Sequence, residues 1–513
     1  MRVALRADAS RRIGFGHVKR CLALAAALRA IGADARLITR DLGVDTAAMV
    51  RALFLEQLVL PAPSEALRPD HVPHAAWAEV GWQLDAEQSV AALADWRPDW
   101  VLVDHYAFDA RWHEFVSQRL GTHIAAIDDL ADRDQSVELL VDHNLSDDHR
   151  QKYAGRVPEK ATLLGGPRFA LLAPAYAQAA RIVVSEQVRS IGIFMGGVDA
   201  SDLSSLALRA CRNDAEFRGR VEVVTTSAYP HGQGLKTLAR HWPDTAVLAD
   251  LPDLASFFAR HDLQIGAGGG AAWERCCIGA PTLAISAAAN QDAVLPALAR
   301  LGAVAVVERL PPPDEGAIGA AIRSLSGDPR RRLELSERSR RLVDGLGARR
   351  VALRLAARSL AVRPATAADS RTIYEWRNHP ATRSVSANPR EIPWAEHEKW
   401  LNDTLLMTNR CLLVGRVGDV DVGVIRFDSQ SENQFEVSLY LDPALHGLGL
   451  GRSLLLAGEG YLVRRAPVGR FTATVLEGNT SSARLFASCG YGLQQGIWQK
   501  SADSKPGNEV TRT

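Results

Sequence analysis

The sequence predicts an α/β protein: two doubly wound, Rossmann-like lobes followed by a smaller α+β domain. Three observations lead there. Through the first 360 or so residues, short apolar runs alternate with Ala- and Leu-rich helical stretches, the pattern of parallel βαβ units. Those runs are apolar throughout, as in sheets covered on both faces. At Val362 the character changes to strand, polar turn and helix, and then strands dominate.

In the first lobe, residues 1–180, strands are expected at 2–6, 35–39, 100–104, 123–127 and 138–141. The stretch 170–188 reads as the crossing to the second lobe, residues 181–358. Strands are expected there at 190–194, 221–225, 263–266, 282–285 and 303–307, and one or two amphipathic helices between 328 and 360. The third domain, 361–498, reads as strands at 411–417, 420–427, 436–441 and 470–475 with a helix over 449–464. A polar tail, 500–513, is expected to fray.

At 513 residues the chain is too long for one ordinary core and suits about three domains of roughly 150 residues. Sixty basic against 59 acidic residues leave a net charge of +1, so no nucleic-acid or membrane partner is expected. The six cysteines form no CxxC pair, which points to reduced thiols and argues against a zinc site; no metal is expected. The arginine- and glycine-bearing N-terminus is not a signal peptide, and no apolar run reaches the ~18 residues of a membrane span. A cytoplasmic enzyme is the resulting expectation; the sequence does not specify its oligomeric state.

The densest chemistry follows the first strand. Gly14-Phe-Gly16-His17 opens a helix in which Val18, Cys21, Leu22, Ala25 and Leu28 recur at helical spacing. Glycines there permit a tight turn, and free N–H groups at a helix start meet anions. His17 falls beside the positive end of the helix dipole, which disfavours imidazolium and suits a general base acting on water. The plainer reading makes it a polar residue in a glycine turn. A second glycine loop, Gly266-Ala-Gly268-Gly269-Gly270, also follows a strand and opens a helix. Glu274 in that helix's first turn either accepts sugar hydroxyls or caps the helix. Gly196-Gly197, after the strand at 190–194, suits a phosphate by the same physics, and Asn290-Gln291 begin another helix. All lie where parallel strands end, the usual ligand position in such sheets.

The strings RADASRRIGFGHVKRCLALA, WVLVDHY, AIDDLADR, LLGGPRFALLAPAY and GAGGGAAWERCCIGAPTL, in that order, resemble the pseudaminic-acid-pathway UDP-sugar hydrolases, relatives of the MurG-type, GT-B-fold glycosyltransferases. The resemblance covers roughly residues 1–355. It implies hydrolysis of UDP-2,4-diacetamido-2,4,6-trideoxy-β-L-altropyranose to UDP and the free sugar, with no required metal. His17 is then the water-activating base and Glu274 meets the ribose. Gly196, Gly197, Gly268 and Gly269 line the diphosphate, with Asp8, Gly16, His105, Tyr106, Asn290 and Gln291 on the substrate side. One departure is Ala271-Ala272, where relatives often carry hydroxyls.

In the third domain, His446-Gly447-Leu-Gly449-Leu-Gly451-Arg452-Ser453 joins a strand to a Leu-rich helix, and its N–H groups form a cradle for a diphosphate. With the later NTSSARLFASCGY, it resembles the Gcn5-related N-acetyltransferases, although His446 replaces the usual Gln or Arg. Trp376-Arg377-Asn378 resembles the branch that acetylates sugar amines. Acetyl-CoA is therefore implied, its pyrophosphate on Gly447, Gly449, Gly451, Arg452 and Ser453 and its pantetheine along Leu439 and Leu441. Glu436 serves as base or is a surface glutamate; Asn479 bonds the cofactor or caps the next helix. Phe486 stands where relatives often have a proton-donating tyrosine. The two resemblances describe consecutive steps on one UDP-activated amino sugar. The alternatives are a MurG-like glycosyltransferase and a UDP-sugar-binding module without turnover.

Overall fold

The computed structural model describes residues 1–64, 70–287, 291, 294–307 and 313–502. The chain divides into two compact units: residues 2–29 with 34–351, and residues 1 and 30–33 with 352 onwards.

The first unit holds two parallel sheets. One comprises β1 (Arg2–Ala7), β2 (Asp34–Arg40), β3 (Glu56–Leu60), β4 (Trp100–Asp104), β5 (His123–Ile127), β6 (Leu139–Asp142) and β7 (Thr162–Gly165), in the order β3-β2-β1-β4-β5-β6-β7. The other comprises β8 (Ser190–Phe194), β9 (Arg220–Thr225), β10 (Thr245–Ala249), β11 (Leu263–Ala267), β12 (Thr282–Ile285) and β13 (Ala305–Val307), in the order β10-β9-β8-β11-β12-β13. Both are doubly wound, as the alternation of runs predicts. In each, strand order reverses between the first and fourth strands, opening a crevice at their carboxyl ends. Burial on both faces explains the unbroken apolar runs. In the second sheet Ile191, Ile193, Val221 and Val223 pack on one side, and Phe194, Val224 and Ala284 pack on the other against Phe257, Phe258 and Trp273.

β3, β7 and β10 escape the sequence reading. All three lie at or next to sheet edges and are half exposed, so their sequences lack the continuous apolar run. Two α-helices form after 328, Pro329–Leu342 and Gly347–Leu355, within the one or two expected there, and a further helix, Glu315–Ser326, precedes them.

The second unit is a mixed sheet of β14 (Ala361–Pro364), β15 (Arg410–Val417), β16 (Val420–Ser431), β17 (Gln434–Leu441), β18 (Arg470–Ala473), β19 (Gly492–Gln494) and β20 (Ile497–Ser501), in the order β14-β15-β16-β17-β18-β20-β19. β14 to β17 pair antiparallel; β17 and β18 run parallel and pair only from Gln434 to Glu436. The expected frayed tail begins too early at 500. Lys500 sits in β20, buried, with its ammonium on the Glu459 carboxylate at 2.5 Å. Tyr491 donates to the same carboxylate at 2.7 Å, so β20 is pinned by a buried triad. Residues 503–513 lie outside the described part.

Candidate active site

β1 and β4 are neighbours, with Ala7 opposite Asp104. The chain leaves β1, turns at Ser10–Gly14, where the Gly14 amide meets the Ser10 carbonyl at 2.8 Å, and enters helix Gly16–Ala30. Gly14 has φ +68°, a conformation that favours glycine. The helix buries Val18, Cys21, Leu22, Ala25 and Leu28, the stripe the sequence marks. That burial fixes the rotation of the helix and sets His17, in its first turn, against the end of β4.

His17 Nδ1 lies 2.6 Å from Asp104 Oδ1. Arg20, one turn on, donates to both oxygens of Asp104, Nε at 2.8 Å and Nη2 at 2.7 Å. Burial alone would raise the Asp104 carboxyl; Arg20 and then His17 outweigh it and hold the group at about 2. An ionised carboxylate only accepts, so Nδ1 must carry the proton. Arg20 Nη2 also sits 2.9 Å from Nδ1, but a ring nitrogen that donates cannot accept; the shorter carboxylate contact decides. Nε2 is therefore the basic nitrogen. The hydrogen-bond contacts of the ring among the described residues are all at Nδ1, and the side chain keeps 7% exposure. Tyr106 packs edge-on to the ring at 4.8 Å and Trp77 at 6.1 Å. Trp77, Tyr106 and His74 pack on one another as an aromatic shelf beside it.

Asp8 and His105 do not face that shelf. Asp8 is fully buried: Arg6 pairs with it, the Arg40 amide donates at 2.7 Å, and His105 Nε2 lies 3.3 Å away. Arg6 and Arg40 also pair with Asp85, so Asp8 belongs to an interior charge network rather than a ligand surface. His105, 2% exposed, accepts from the Ala107 amide and stacks on Phe108 at 4.6 Å; burial lowers its pKa and keeps it neutral. Gly16 is exposed at the helix start. Sequence reasoning missed Asp104, Arg20 and Trp77. The signal for Asp104 was present: a carboxylate ends a buried strand, inside WVLVDHY.

The second lobe places its glycine loops after β8 and β11, again at the order reversal. Gly196 has φ +101°; the Gly197 carbonyl accepts from Thr226 Oγ1 at 2.5 Å. Helix Gly270–Ile278 begins with Gly269 as its cap residue and no side-chain cap, although the Ala272 amide turns back onto the Gly269 carbonyl at 2.8 Å; uncapped helix starts suit anions. The Gly268 amide, expected at the diphosphate, is instead taken by Gln291 Oε1 at 3.0 Å, and Gln291 Oε1 also accepts from Ala287. Gln291 thus shapes the loop. Asn290 lies outside the described residues. Tyr176 accepts from the Leu254 amide at 3.4 Å, and its hydroxyl lies close enough to Glu274 for the carboxylate to raise its pKa and for the hydroxyl to lower that of the carboxyl. Burial raises the Glu274 carboxyl against the pull of Lys19, a residue of the His17 helix. The lobes also meet where Trp273 Nε1 donates to Asn144 Oδ1 at 3.2 Å; Asn144 Nδ2 donates to Asp129, which also accepts from Tyr106.

In the second unit, Gly447 (φ +81°) and Gly449 (φ +75°) turn the chain into helix Leu450–Val463, with open space where a Cβ would sit on either. Gly451 packs near Leu485, Arg452 is exposed and Ser453 half-buried. Beyond Glu436 the ladder between β17 and β18 stops, which leaves residues 437–441, including Leu439 and Leu441, unpaired on that side. Glu436 stands at the point of divergence and accepts from Thr474 Oγ1 at 2.9 Å and Gln430 Nε2 at 3.2 Å. The Asn479 side-chain oxygen caps helix Thr480–Ser488 through the Ser482 amide at 3.1 Å, which settles that oxygen on the capping role. Phe486 is buried against Tyr491 at 5.0 Å, and the Tyr491 hydroxyl is committed to Glu459.

Residues 359–492 match the acetyltransferase (GNAT) domain family. The C-terminal region is a GNAT acetyltransferase domain. Further toward the N-terminus, the chain is 32% identical over 192 residues to the spore coat polysaccharide biosynthesis protein SpsG of Bacillus subtilis, a match spanning 36% of this chain and 56% of that protein. Among solved structures, MurG of Acinetobacter baumannii aligns with 68% of this chain and 98% of its own at 13% identity and TM-score 0.47. A spermidine N-acetyltransferase from Vibrio cholerae, in complex with CoA and spermine, aligns with 28% of this chain and 95% of its own at 15% identity and TM-score 0.27. Among the described residues, no helix is long and apolar enough to cross a membrane.

Proposed function

We propose that the two lobes hydrolyse UDP-2,4-diacetamido-2,4,6-trideoxy-β-L-altropyranose to UDP and the free sugar, and that the GNAT domain acetylates the 4-amino group of its precursor with acetyl-CoA, in nonulosonic acid synthesis. The observation that carries the hydrolase reading is the Asp104–His17 pair at the β1/β4 reversal, with its free Nε2 beside an aromatic shelf. The similarity to a polysaccharide biosynthesis protein supports it.

Water attacks the anomeric carbon as His17 Nε2 takes its proton. The new bond is C–O, and the bond that breaks joins that carbon to the diphosphate oxygen, which leaves with its electron pair as UDP. Asp104 fixes the tautomer and stabilises the imidazolium that forms. The first-turn amides of helix Gly270–Ile278 and the Gly196–Gly197 turn receive the departing charge. Glu274, beside Tyr176, reaches the ribose. Inversion at carbon follows from single displacement.

In the GNAT domain the glycine turn and the uncapped start of helix Leu450–Val463 suit a pyrophosphate, and the gap beyond Glu436 suits an extended pantetheine. Acetyl-CoA supplies the activated acetyl group. Glu436 accepts the amine proton through water, since both its oxygens already have partners. Tyr491 does not face the thiol, being held in the Glu459–Lys500 triad.

The test supplies the purified protein with UDP-4-amino-4,6-dideoxy-β-L-AltNAc and acetyl-CoA and follows CoA, UDP and free sugar. Hydrolysis requires UDP release with no acceptor present. Release only with an added acceptor would indicate a glycosyltransferase; binding without turnover would indicate a sensing module.

A further inference from the structure

Three arginines with fully buried side chains are accommodated in different ways. Arg6 pairs with two carboxylates, Asp8 and Asp85. Arg332 donates to the carbonyls of Leu325, Ser326, Ser185 and Glu186. Arg275, 1% exposed, has a single acceptor, the Ala267 carbonyl at 2.5 Å, and its Nε and Nη1 have no partner among the described residues. Its guanidinium lies over the Phe258 ring at 5.7 Å. Burial pulls its pKa down to about 10, so it remains a cation at neutral pH.

Its location gives the charge a purpose. A Cβ on Gly266 would collide with Nη1 and with the Phe194 carbonyl, so glycine there lets the guanidinium press against the loop backbone. Phe194 ends β8 and Gly266 lies in β11, so the guanidinium sits beneath the reversal from which both glycine loops emerge. A buried cation with no ion pair among the described residues is costly to hold, and the one acidic neighbour whose field favours it, Glu274, is itself buried with its carboxyl pushed up. An anion arriving on the loop would supply the missing counter-charge.

We infer that Arg275 is a positioning residue for a bound diphosphate: it braces the loop through the Ala267 carbonyl and opposes the ligand's charge from below, giving this lobe its preference for a nucleoside diphosphate over the nucleoside. This rests on the UDP reading above. The guanidinium does not touch the ligand; it acts through the loop and its field, which falls off slowly in a low-dielectric interior.

The experiment titrates UDP, uridine and inorganic pyrophosphate into full-length wild type, R275Q and R275K by calorimetry, with folding checked by circular dichroism and thermal melting. R275Q should weaken UDP and pyrophosphate about 10- to 100-fold and uridine less than about twofold. R275K should recover most of the loss at pH 7 and weaken again toward pH 9, where a buried ammonium sheds its proton and a guanidinium does not. This last readout stands even if R275Q fails to fold. Equal losses for UDP and uridine, unchanged UDP binding in R275Q, or pH-independent binding in R275K would each overturn the inference. Wild type that binds pyrophosphate but not UDP would defeat the nucleotide reading, and the pyrophosphate arm would still decide Arg275. Wild type that binds neither defeats both.

Discussion

The two lobes share the order of their first six strands, the first lobe adding β7, and each carries its candidate site at the same reversal of strand order, yet they build those sites from different material. The first uses side chains: His17 and Arg20 both bond Asp104, and the tautomer of His17 follows from that bonding. The second uses mainly backbone, an uncapped helix start and a turn at Gly196 with φ +101°, braced from beneath by the buried Arg275 side chain. A shared architecture supplies a place for a ligand, and the residues at that place decide whether it is transformed or only held. The expected division is chemistry in the first lobe and nucleotide binding in the second.

Variants test that division. His17→Ala should lower turnover by about 10³- to 10⁴-fold with UDP affinity within about twofold of wild type; comparable losses in both would end the division. Asp104→Asn should cost about 10²- to 10³-fold in kcat, because an amide can hold the ring with the wrong nitrogen protonated. A pH–rate profile then separates this variant from one that merely misfolds.

Acid should act unevenly too. Burial, followed by the Arg20 charge for His143 and the Arg133 charge for His113, lowers these rings to about 4 and about 3. Unfolded histidine takes up its proton near 6.5, so the unfolded state binds more protons below that pH. Stability is therefore flat above pH 6.5 and falls as pH drops toward 4, by up to about 3 kcal/mol for His143. Urea unfolding at pH 7 and 4.5 should show this slope, and His143→Gln should flatten it.

In the second lobe, a Cβ on Gly268 would overlap Leu295, so Gly268→Ala should cost about 1–3 kcal/mol in stability and weaken UDP, while UDP-saturated kcat changes least. The smallest expected effect is Tyr176→Phe. Removing the hydroxyl beside Glu274 should weaken UDP a few-fold, measured by calorimetry, and leave kcat intact.

How much of this was legible depended on burial. Central strands such as β1, β4, β8 and β11 announce themselves because both faces are covered; β3, β10 and β19 do not, since an exposed face admits polar residues. β20 was obscured because Lys500 reads as a tail residue until Glu459, 41 positions earlier, is brought against it. His17 stood out through its glycine turn. Asp104 did not, although it ends a recognised strand, because its partnership with His17 spans 87 residues and only the sheet order joins them. Asp8 misled for the converse reason: it follows a strand as a ligand-facing carboxylate would, but the Arg6–Asp85–Arg40 network draws it inside. Glycines are read less surely, since they also answer local needs: Gly447 and Gly449 have positive φ, and Gly268 leaves room for Leu295.

The most direct test of the central claim is the position of isotope after turnover in ¹⁸O-water. With the diacetamido UDP-sugar as substrate, the label should appear in the free sugar and be absent from UDP, and His17→Ala should abolish its appearance. Label in UDP would mean attack at phosphorus, and would contradict a first lobe that activates water against the anomeric carbon.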